Sequence, residues 1–161
     1  MLDLEAYFIP DIVNVIPSER AIMKPTTYLR IVRSSAWYDL LVTWPFATPW
    51  TFGWLYDQLA RLASTAGIPG VTPPLDAMHL LLANLLGSAV IAWSLARMLS
   101  PSIRLGRLDA MARWLFLCWQ IVAVSAGANA IILLFSSMEL LFGILQSLPV
   151  RPGIPDNRRD A

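Results

Sequence analysis

The sequence predicts an all-α integral membrane protein: a four-helix bundle with both termini in the cytoplasm and an N-terminal surface arm. Three observations predict it. The composition is too apolar for an ordinary soluble domain, four apolar runs have the length of a membrane-spanning helix, and arginine-rich segments alternate with nearly uncharged ones between those runs. The predicted location is a bacterial inner membrane, crossed several times.

The composition separates this chain from soluble proteins. Of its 161 residues, 57% are hydrophobic and 14% are charged, whereas soluble domains are about 45–50% apolar and about 25% charged. A helical bundle in lipid needs no polar cover along its middle. The net charge of +1 gives no excess of basic residues with which to neutralise phosphates. We therefore predict the lipid bilayer as a partner and no nucleic acid.

Residues 1–33 are predicted to form a cytoplasmic or interfacial arm. Pro10, Pro17 and Pro25 leave room between them for no helix longer than about two turns. The aromatic and aliphatic residues from Tyr7 to Ile16 predict that this arm lies on the membrane surface or on a partner. A poorly ordered leader is the alternative interpretation.

The predicted transmembrane domain covers residues 34–148 and begins with a span at 35–59. Pro45 and Pro49 lie inside that span, and each removes a backbone hydrogen-bond donor. We therefore expect the helix to bend between them, with the freed carbonyls satisfied by threonine hydroxyls or by neighbouring helices. Five glycines and prolines then predict a loop over residues 62–75.

Three further spans follow, at residues 77–98, 108–126 and 130–148. Asp76 is the predicted N-cap of the second span, and the small residues Ala83, Gly87 and Ala89 would allow other helices to approach it closely. Ser100-Pro101 ends the second span and residues 127–129 form a turn. In the alternative interpretation, residues 110–134 form one long helix and residues 136–148 are too short to cross.

The orientation follows from the basic residues, because Lys and Arg in short loops are retained in the cytoplasm. They occur in the arm, in the segment between the second and third spans (Arg97, Arg104, Arg107 and Arg113) and in the polar tail at 149–161. The other two loops hold only Arg61 between them. Both termini are therefore predicted to be cytoplasmic.

Three ionisable residues are the candidates for catalysis: Glu139, Asp39 and His79. Such residues at membrane depth are costly and tend to serve a function. Glu139 lies near the middle of the fourth span, so we expect it to be protonated or partnered; otherwise it marks the outer end of a shorter helix. Asp39 is expected to pair with Arg33. His79 follows Asp76 by three residues, so the two form either a tuned proton acceptor or a capping pair.

Aromatic residues give the candidate ligand site. Its predicted members are four tryptophans and one glutamine that lie in apolar segments: Trp44, Trp50, Trp93, Trp119 and Gln120. They could cover a planar or cationic apolar ligand such as a quinone or a lipid amine; core filling and interfacial anchoring are the alternatives. Because the chain has one histidine and one cysteine, we do not expect it to bind a transition metal. The identity of any cofactor stays unknown.

The order of short sequence strings resembles a group of bacterial membrane proteins. These strings are Ser-Ala-Trp-Tyr-Asp-Leu (35–40), His-Leu-Leu-Leu-Ala-Asn-Leu-Leu-Gly-Ser (79–88) and Leu-Asp-Ala-Met-Ala-Arg (108–113). The layout resembles small uncharacterised four-helix proteins in the neighbourhood of the DoxX-like families. The resemblance covers residues 30–148 and implies a quinone-linked subunit of an oxidoreductase.

Two functions are compatible with these patterns. The first, which we favour at this stage, is an accessory or structural subunit of a larger membrane complex, or a homo-oligomer. The second is a stand-alone membrane enzyme or carrier in which Glu139, Asp39 and His79 surround a buried apolar ligand. The second requires Glu139 and at least one other ionisable group around one cavity, whereas the first requires polar residues scattered over the helix faces.

Overall fold

The computed structural model describes residues 23–151, and every regular element in that range is helical. There are five α-helices and two short 3₁₀ turns. The helices are α1 Pro25–Thr43, α2 Pro49–Thr65, α3 Ala77–Leu99, α4 Ile103–Ser125 and α5 Leu133–Ser147; the 3₁₀ turns are Trp44–Ala47 and Ala130–Ile132. Most of the predicted arm, residues 1–22, and most of the predicted tail, residues 152–161, lie outside the described residues.

The first predicted span differs most from the structure. Instead of one bent helix at 35–59, the chain forms two helices separated by the 3₁₀ turn and by an extended Thr48. The first helix begins at Pro25, inside the predicted arm, because a proline suits the first helical position, where its missing N–H has no partner to lose. The break falls around Pro45 and Pro49, as the positions of these prolines predict.

The carbonyls freed by this break are satisfied as predicted. The Thr51 hydroxyl donates to the Pro45 carbonyl at 2.6 Å, and the Asn84 amide of α3 donates to the Phe46 carbonyl at 2.7 Å. Gly87 of α3 lies directly against the turn, where an added Cβ would be 2.5 Å from Phe46 Cβ. The break is therefore held in place by α3.

Local capping explains where the remaining helices begin. The Asp76 carboxylate accepts a hydrogen bond from the backbone N–H of His79 at 2.8 Å, which confirms the predicted N-cap. Helix α4 begins at Ile103, earlier than the predicted 108, because the Ser102 hydroxyl caps it by accepting from the Leu105 N–H at 3.1 Å. Helix α2 runs to Thr65, so the predicted loop at 62–75 begins only at residue 66.

The turn predicted at residues 127–129 is present. Helix α4 ends at Ser125, and residues 130–147 form the second 3₁₀ turn and α5. The alternative of one long helix over 110–134 is therefore wrong. Gly127 adopts a φ of +100°, a conformation that glycine reaches at little cost, which lets the chain reverse here.

Backbone hydrogen bonds define two opposite ends of the helices. At the terminal end, the Met23 N–H donates to the Pro149 carbonyl at 3.2 Å, and Arg107 donates to the Gln146 and Leu148 carbonyls at 2.9 and 2.7 Å. These contacts join the start of α1 and of α4 to the end of α5. Both ends of the described chain therefore lie together.

The loop end holds the two remaining connections. The Val71 N–H donates to the Gly127 carbonyl at 2.9 Å, and the Asn129 N–H donates back to the Val71 carbonyl at 3.1 Å. The loop between α2 and α3 is thus joined to the turn between α4 and α5, opposite to the terminal end.

Burial in this structure is inverted relative to a water-soluble protein. Among residues 23–151, nine polar or charged residues are buried against eight hydrophobic ones, while leucines of α3 and α4 such as Leu81, Leu82 and Leu115 are more than half exposed. In the same described range, three segments are long and apolar enough to cross a membrane: Ala77–Leu99, Ile103–Ser125 and Ala130–Ser147. Apolar side chains on the outside suit contact with lipid.

Candidate functional site

Five charged side chains from four helices meet between those helices. Asp39 comes from α1, Arg97 from α3, Asp109 and Arg113 from α4, and Glu139 from α5. Both arginines and both aspartates are buried, and the Glu139 side chain is 14% exposed. Arg113 is ten residues into α4, which at the rise of a helix is about 15 Å from its start. Arg113 therefore lies well inside α4, whereas Arg97 is in the last turn of α3, so the network extends inward from that end of the helices.

Arg113 joins three carboxylates. Its Nε lies 3.0 Å from Asp109 Oδ2, its Nη1 2.9 Å from Glu139 Oε2 and its Nη2 2.6 Å from Asp39 Oδ2. Each guanidinium nitrogen thus faces a carboxylate on a different helix or on the previous turn of α4. Only the planar, five-donor guanidinium can make this set of contacts; a lysine ammonium has no comparable fork.

Arg97 adds α3 to the network by contacting carboxylates of α1 and α4. Its Nη2 lies 2.5 Å from Asp39 Oδ2 and its Nη1 2.5 Å from Asp109 Oδ2. Asp39 and Asp109 are therefore each shared by the two arginines. This corrects the predicted pairing of Asp39 with Arg33, which is exposed.

The helical period explains why Asp39 turns inward. The buried residues of α1 are Tyr28, Val32, the adjacent pair Ser35 and Ala36, and Asp39, so burial recurs every three or four residues. Such a spacing places side chains on one face of a helix. Arg33 lies on another face, so it cannot reach the carboxylate.

Neutral polar groups complete the network. The Gln146 amide donates to the Ser35 hydroxyl at 2.7 Å, and Ser35 also accepts from Arg97 Nη1 at 3.1 Å. The Trp93 indole donates to Asp109 Oδ1 at 3.0 Å. Both oxygens of Asp109 are thereby engaged, and this carboxylate has a structural role in orienting the two arginines.

The two other carboxylates are only partly engaged. Within residues 23–151, every hydrogen bond and ion pair to the Asp39 carboxylate goes to its Oδ2, and the one to the Glu139 carboxylate goes to its Oε2. Asp39 Oδ1 and Glu139 Oε1 therefore accept no hydrogen bond from the described chain. When all five groups are ionised, three carboxylates face two guanidiniums and the network carries a net charge of −1.

A large cavity lies beside this network. Its volume is about 860 Å³, and Asp39, Asp109, Arg113 and Glu139 contribute to its wall. Most of the remaining lining is apolar or aromatic and includes Val42, Phe46, Leu86, Val90, Phe116 and Phe135. An apolar chamber with a few polar groups on one wall is typical of small-molecule sites.

The structure brings two of the three predicted catalytic candidates together. Glu139 and Asp39 both contact Arg113 and both line the large cavity. His79 does not join them: its Nδ1 lies 3.0 Å from Asp76 Oδ1, its side chain is 58% exposed, and it lines a separate cavity of about 410 Å³. The hydrogen bond from the His79 backbone lowers the pKa of Asp76, as expected for a capping carboxylate.

The predicted ligand-binding residues divide in the same way. Trp93, Trp119 and Gln120 line the large cavity, and Gln120 accepts a hydrogen bond from the Ser136 hydroxyl at 2.6 Å. Trp44 and Trp50 do not line it; their exposed fractions are 54% and 80%. These two suit a membrane interface better than a buried site.

Sequence reasoning missed the arginines of the network. Arg97 and Arg113 were assigned to the basic segment between two spans, but they lie within α3 and α4 and are buried. The available signal was the spacing of Asp109 and Arg113, since an acid and a base four residues apart share a helix face. The basic segment keeps Arg104 and Arg107 at the terminal end.

The chemistry open to this site is binding and proton exchange. Within the part of the chain that the structure describes, no group of three His, Cys, Asp or Glu side chains could hold a metal ion, because guanidiniums separate the three carboxylates. Cys118 is exposed and lies outside the lining. The polar side chains of the cavity wall include Tyr38, Gln120, Asp39, Arg113 and Glu139.

Fold and burial together define the class: within residues 23–151 the protein is helical, has three segments long and apolar enough to cross a membrane, and holds a charged network between its helices. No family model, curated protein or solved structure matches the chain. The resemblance to the DoxX-like neighbourhood therefore stays a prediction.

Proposed function

We propose that this protein is a stand-alone membrane enzyme or carrier that binds an amphiphilic ligand within the bilayer. The ligand's apolar body occupies the large cavity, and its polar head contacts the wall formed by Asp39, Arg113 and Glu139. One observation carries the proposal: ionisable groups from three helices converge on the wall of a single apolar cavity. This is the arrangement that the enzyme or carrier hypothesis requires.

The energetics of the network support a ligand site. Replacing a buried ion network by well-packed hydrophobic residues is often neutral or stabilising, so such a network is weak evidence for a purely structural role. Here the network also borders empty space instead of closely packed side chains. Ionisable residues in that position within a membrane mark functional sites by default.

The proposed topology has four crossings with both termini in the cytoplasm of a bacterial cell. Helices α1 and α2 with their break serve as the first crossing, and α3, α4 and α5 serve as the others. In support, Lys24, Arg104, Arg107 and Arg151 lie near the terminal end, and basic residues flanking short loops are retained inside.

Helix α2 favours a second candidate function, that of an accessory subunit or homo-oligomer. It is not among the segments that meet the criteria for a span, and two of its aromatic side chains, Trp50 and Trp54, are 80% and 64% exposed. Exposed aromatic residues suit either a subunit interface or the lipid head groups. Quinones and lipids of any charge are the ligand classes open to either candidate.

Purification in a mild detergent, followed by native mass spectrometry and by analysis of extracted small molecules, tests the proposal. We expect the wild type to retain a small amphiphile at near one per chain. Ala112→Phe should lose it, because Ala112 lines the cavity and a phenyl ring there would occupy the ligand's space.

Ala92→Phe is the matched control, since Ala92 is exposed on α3 and does not line the cavity. Equal retention of the amphiphile by both variants would contradict a cavity site. A stoichiometric larger protein that copurifies with both variants, with no amphiphile in either, would instead support the accessory-subunit candidate.

A further inference from the structure

The arginines of the network offer no unpaired guanidinium nitrogen to the large cavity: within residues 23–151 the buried Nε of Arg97 has no hydrogen-bond partner, but Arg97 is not part of the cavity wall. All three nitrogens of Arg113 face carboxylates. Arg97 does not line the cavity, and its two terminal nitrogens contact Asp39, Asp109 and two serines. A phosphate or carboxylate head group would therefore meet negative charge without a free cationic partner.

The carboxylates, by contrast, have capacity left. Asp39 Oδ1 and Glu139 Oε1 accept no hydrogen bond from the described residues, and both side chains line the cavity. The fully ionised network carries one more negative than positive charge, and an uncompensated charge in a low-dielectric interior is costly. A positive charge placed in the cavity beside these oxygens would offset it.

The remaining walls also suit a cation with an apolar body. Tyr38, Trp93, Phe116 and Trp119 line the cavity beside the carboxylates. The faces of aromatic rings attract cations, and such pairs are strongest where water is excluded. Cages of this kind commonly recognise ammonium groups.

We propose that the ligand of this cavity is an amphiphile with a cationic head group, such as a long-chain amine or quaternary ammonium, bound between Asp39 and Glu139. The proposal rests on the proposed function, and it specifies the charge that this function left open. Neutral quinones and anionic lipids are the occupants that it excludes.

The test is equilibrium binding of three labelled probes with the same ten-carbon chain to the purified protein in phosphatidylcholine nanodiscs. The probes are decyltrimethylammonium, decanol and decyl sulfate, and empty nanodiscs measure partitioning into lipid. We expect the cationic probe to bind at least about tenfold more tightly than the other two, the ratio expected for one hydrogen bond or contact to a charged group.

Variants locate the charge that recognises the head group. Glu139→Gln keeps the side chain's volume and should weaken binding of the cation about tenfold, while Glu139→Asp should retain most of it. Asp57→Asn is the matched control: it removes one carboxylate from an exposed position on α2 outside the cavity, and should leave binding unchanged.

The possible results separate this inference from the proposed function. Equal binding of the cationic and neutral probes, or preference for the anion, would overturn the cationic head group while leaving the ligand cavity in place. Binding of no probe above the empty nanodiscs would overturn both. The preference of the wild type among the three probes tests the charge of the head group even where a variant fails to fold.

Discussion

Arg113 connects more of the molecule than any other side chain in the network. Through three nitrogens it contacts Asp39 of α1, Asp109 on its own helix and Glu139 of α5. Its charge is buried, and these carboxylates compensate it where water does not. The same residue thereby serves the fold and sets the charge of the cavity wall.

Replacing Arg113 should destabilise the protein strongly. Arg113→Gln leaves three carboxylates around a neutral amide, and removing one partner of a buried ionic network costs about 3–5 kcal/mol. The free energy of unfolding, measured by titrating mixed micelles with sodium dodecyl sulfate and following helix content by circular dichroism, should fall by about that amount.

Arg104→Gln provides the comparison, because Arg104 is an exposed arginine on the same helix. Its replacement should leave the unfolding free energy nearly unchanged. Similar losses in the two variants would mean that Arg113 contributes no more than surface charge, and that its buried contacts do not stabilise the fold.

At the scale of the elements, the break between α1 and α2 positions the wall of the cavity. Phe46 lies in the 3₁₀ turn and lines both cavities, where Ile132 and Phe135 meet it. The turn is fixed from α3 through the hydrogen bond of Asn84 to the Phe46 carbonyl and through the absence of a side chain at Gly87. Close packing of α3 against the turn therefore keeps the two cavities distinct.

A methyl group at Gly87 should disturb this contact. The added Cβ would lie 2.5 Å from Phe46 Cβ and 2.7 Å from the Phe46 carbonyl carbon, and backbone atoms cannot move aside cheaply. Gly87→Ala should lower the unfolding free energy by about 2 kcal/mol, a typical cost of overpacking, in the same micelle titration.

Gly53→Ala is the matched substitution. An added Cβ at Gly53, inside α2, meets nothing within 4 Å, so alanine should stabilise the helix by about 0.5–1 kcal/mol. If both alanines raised the stability, the close approach of α3 to the turn would be refuted.

Some helix starts and stops were predictable because they depend on neighbouring residues, whereas the starts of α1 and α4 and the end of α2 were not. Asp76 and the turn at residues 127–129 act locally, and the prolines near residue 45 fixed the place of the break. The early start of α1 at Pro25 was missed, since a proline both ends one segment and begins the next. Sequence spacing alone cannot tell which of the two occurs.

The site was harder to predict because it depends on contacts between distant segments. Glu139 and Asp39 were predicted as site residues because a charged side chain within an apolar segment is energetically costly. Their arginine partners were not predicted. Arg97 lies 58 residues from Asp39 along the chain, and no local pattern distinguishes a buried arginine from one that anchors a loop in the cytoplasm. The arginines were interpreted as markers of membrane topology, so the buried ion-pair network that two of them form was not predicted.

At the scale of the whole molecule, polar side chains lie inside and apolar side chains lie outside. The polar residues of α1, α3, α4 and α5 face one another, and the leucines face outward. In lipid this order is favourable, since apolar side chains contact acyl chains and charged ones pair within the bundle. Because of this arrangement, the charged network forms part of the wall of the otherwise apolar large cavity. The proposed function depends on that combination.

Photolabelling locates a bound amphiphile most directly. A decyltrimethylammonium analogue with a diazirine in its chain, activated in nanodiscs containing the protein, should attach to residues of the large cavity, within residues 86–93 of α3 and 108–120 of α4. Excess unlabelled decyltrimethylammonium should prevent that attachment. Labelling confined to exposed leucines such as Leu81 and Leu134, and undiminished by the competitor, would contradict a ligand site inside the bundle.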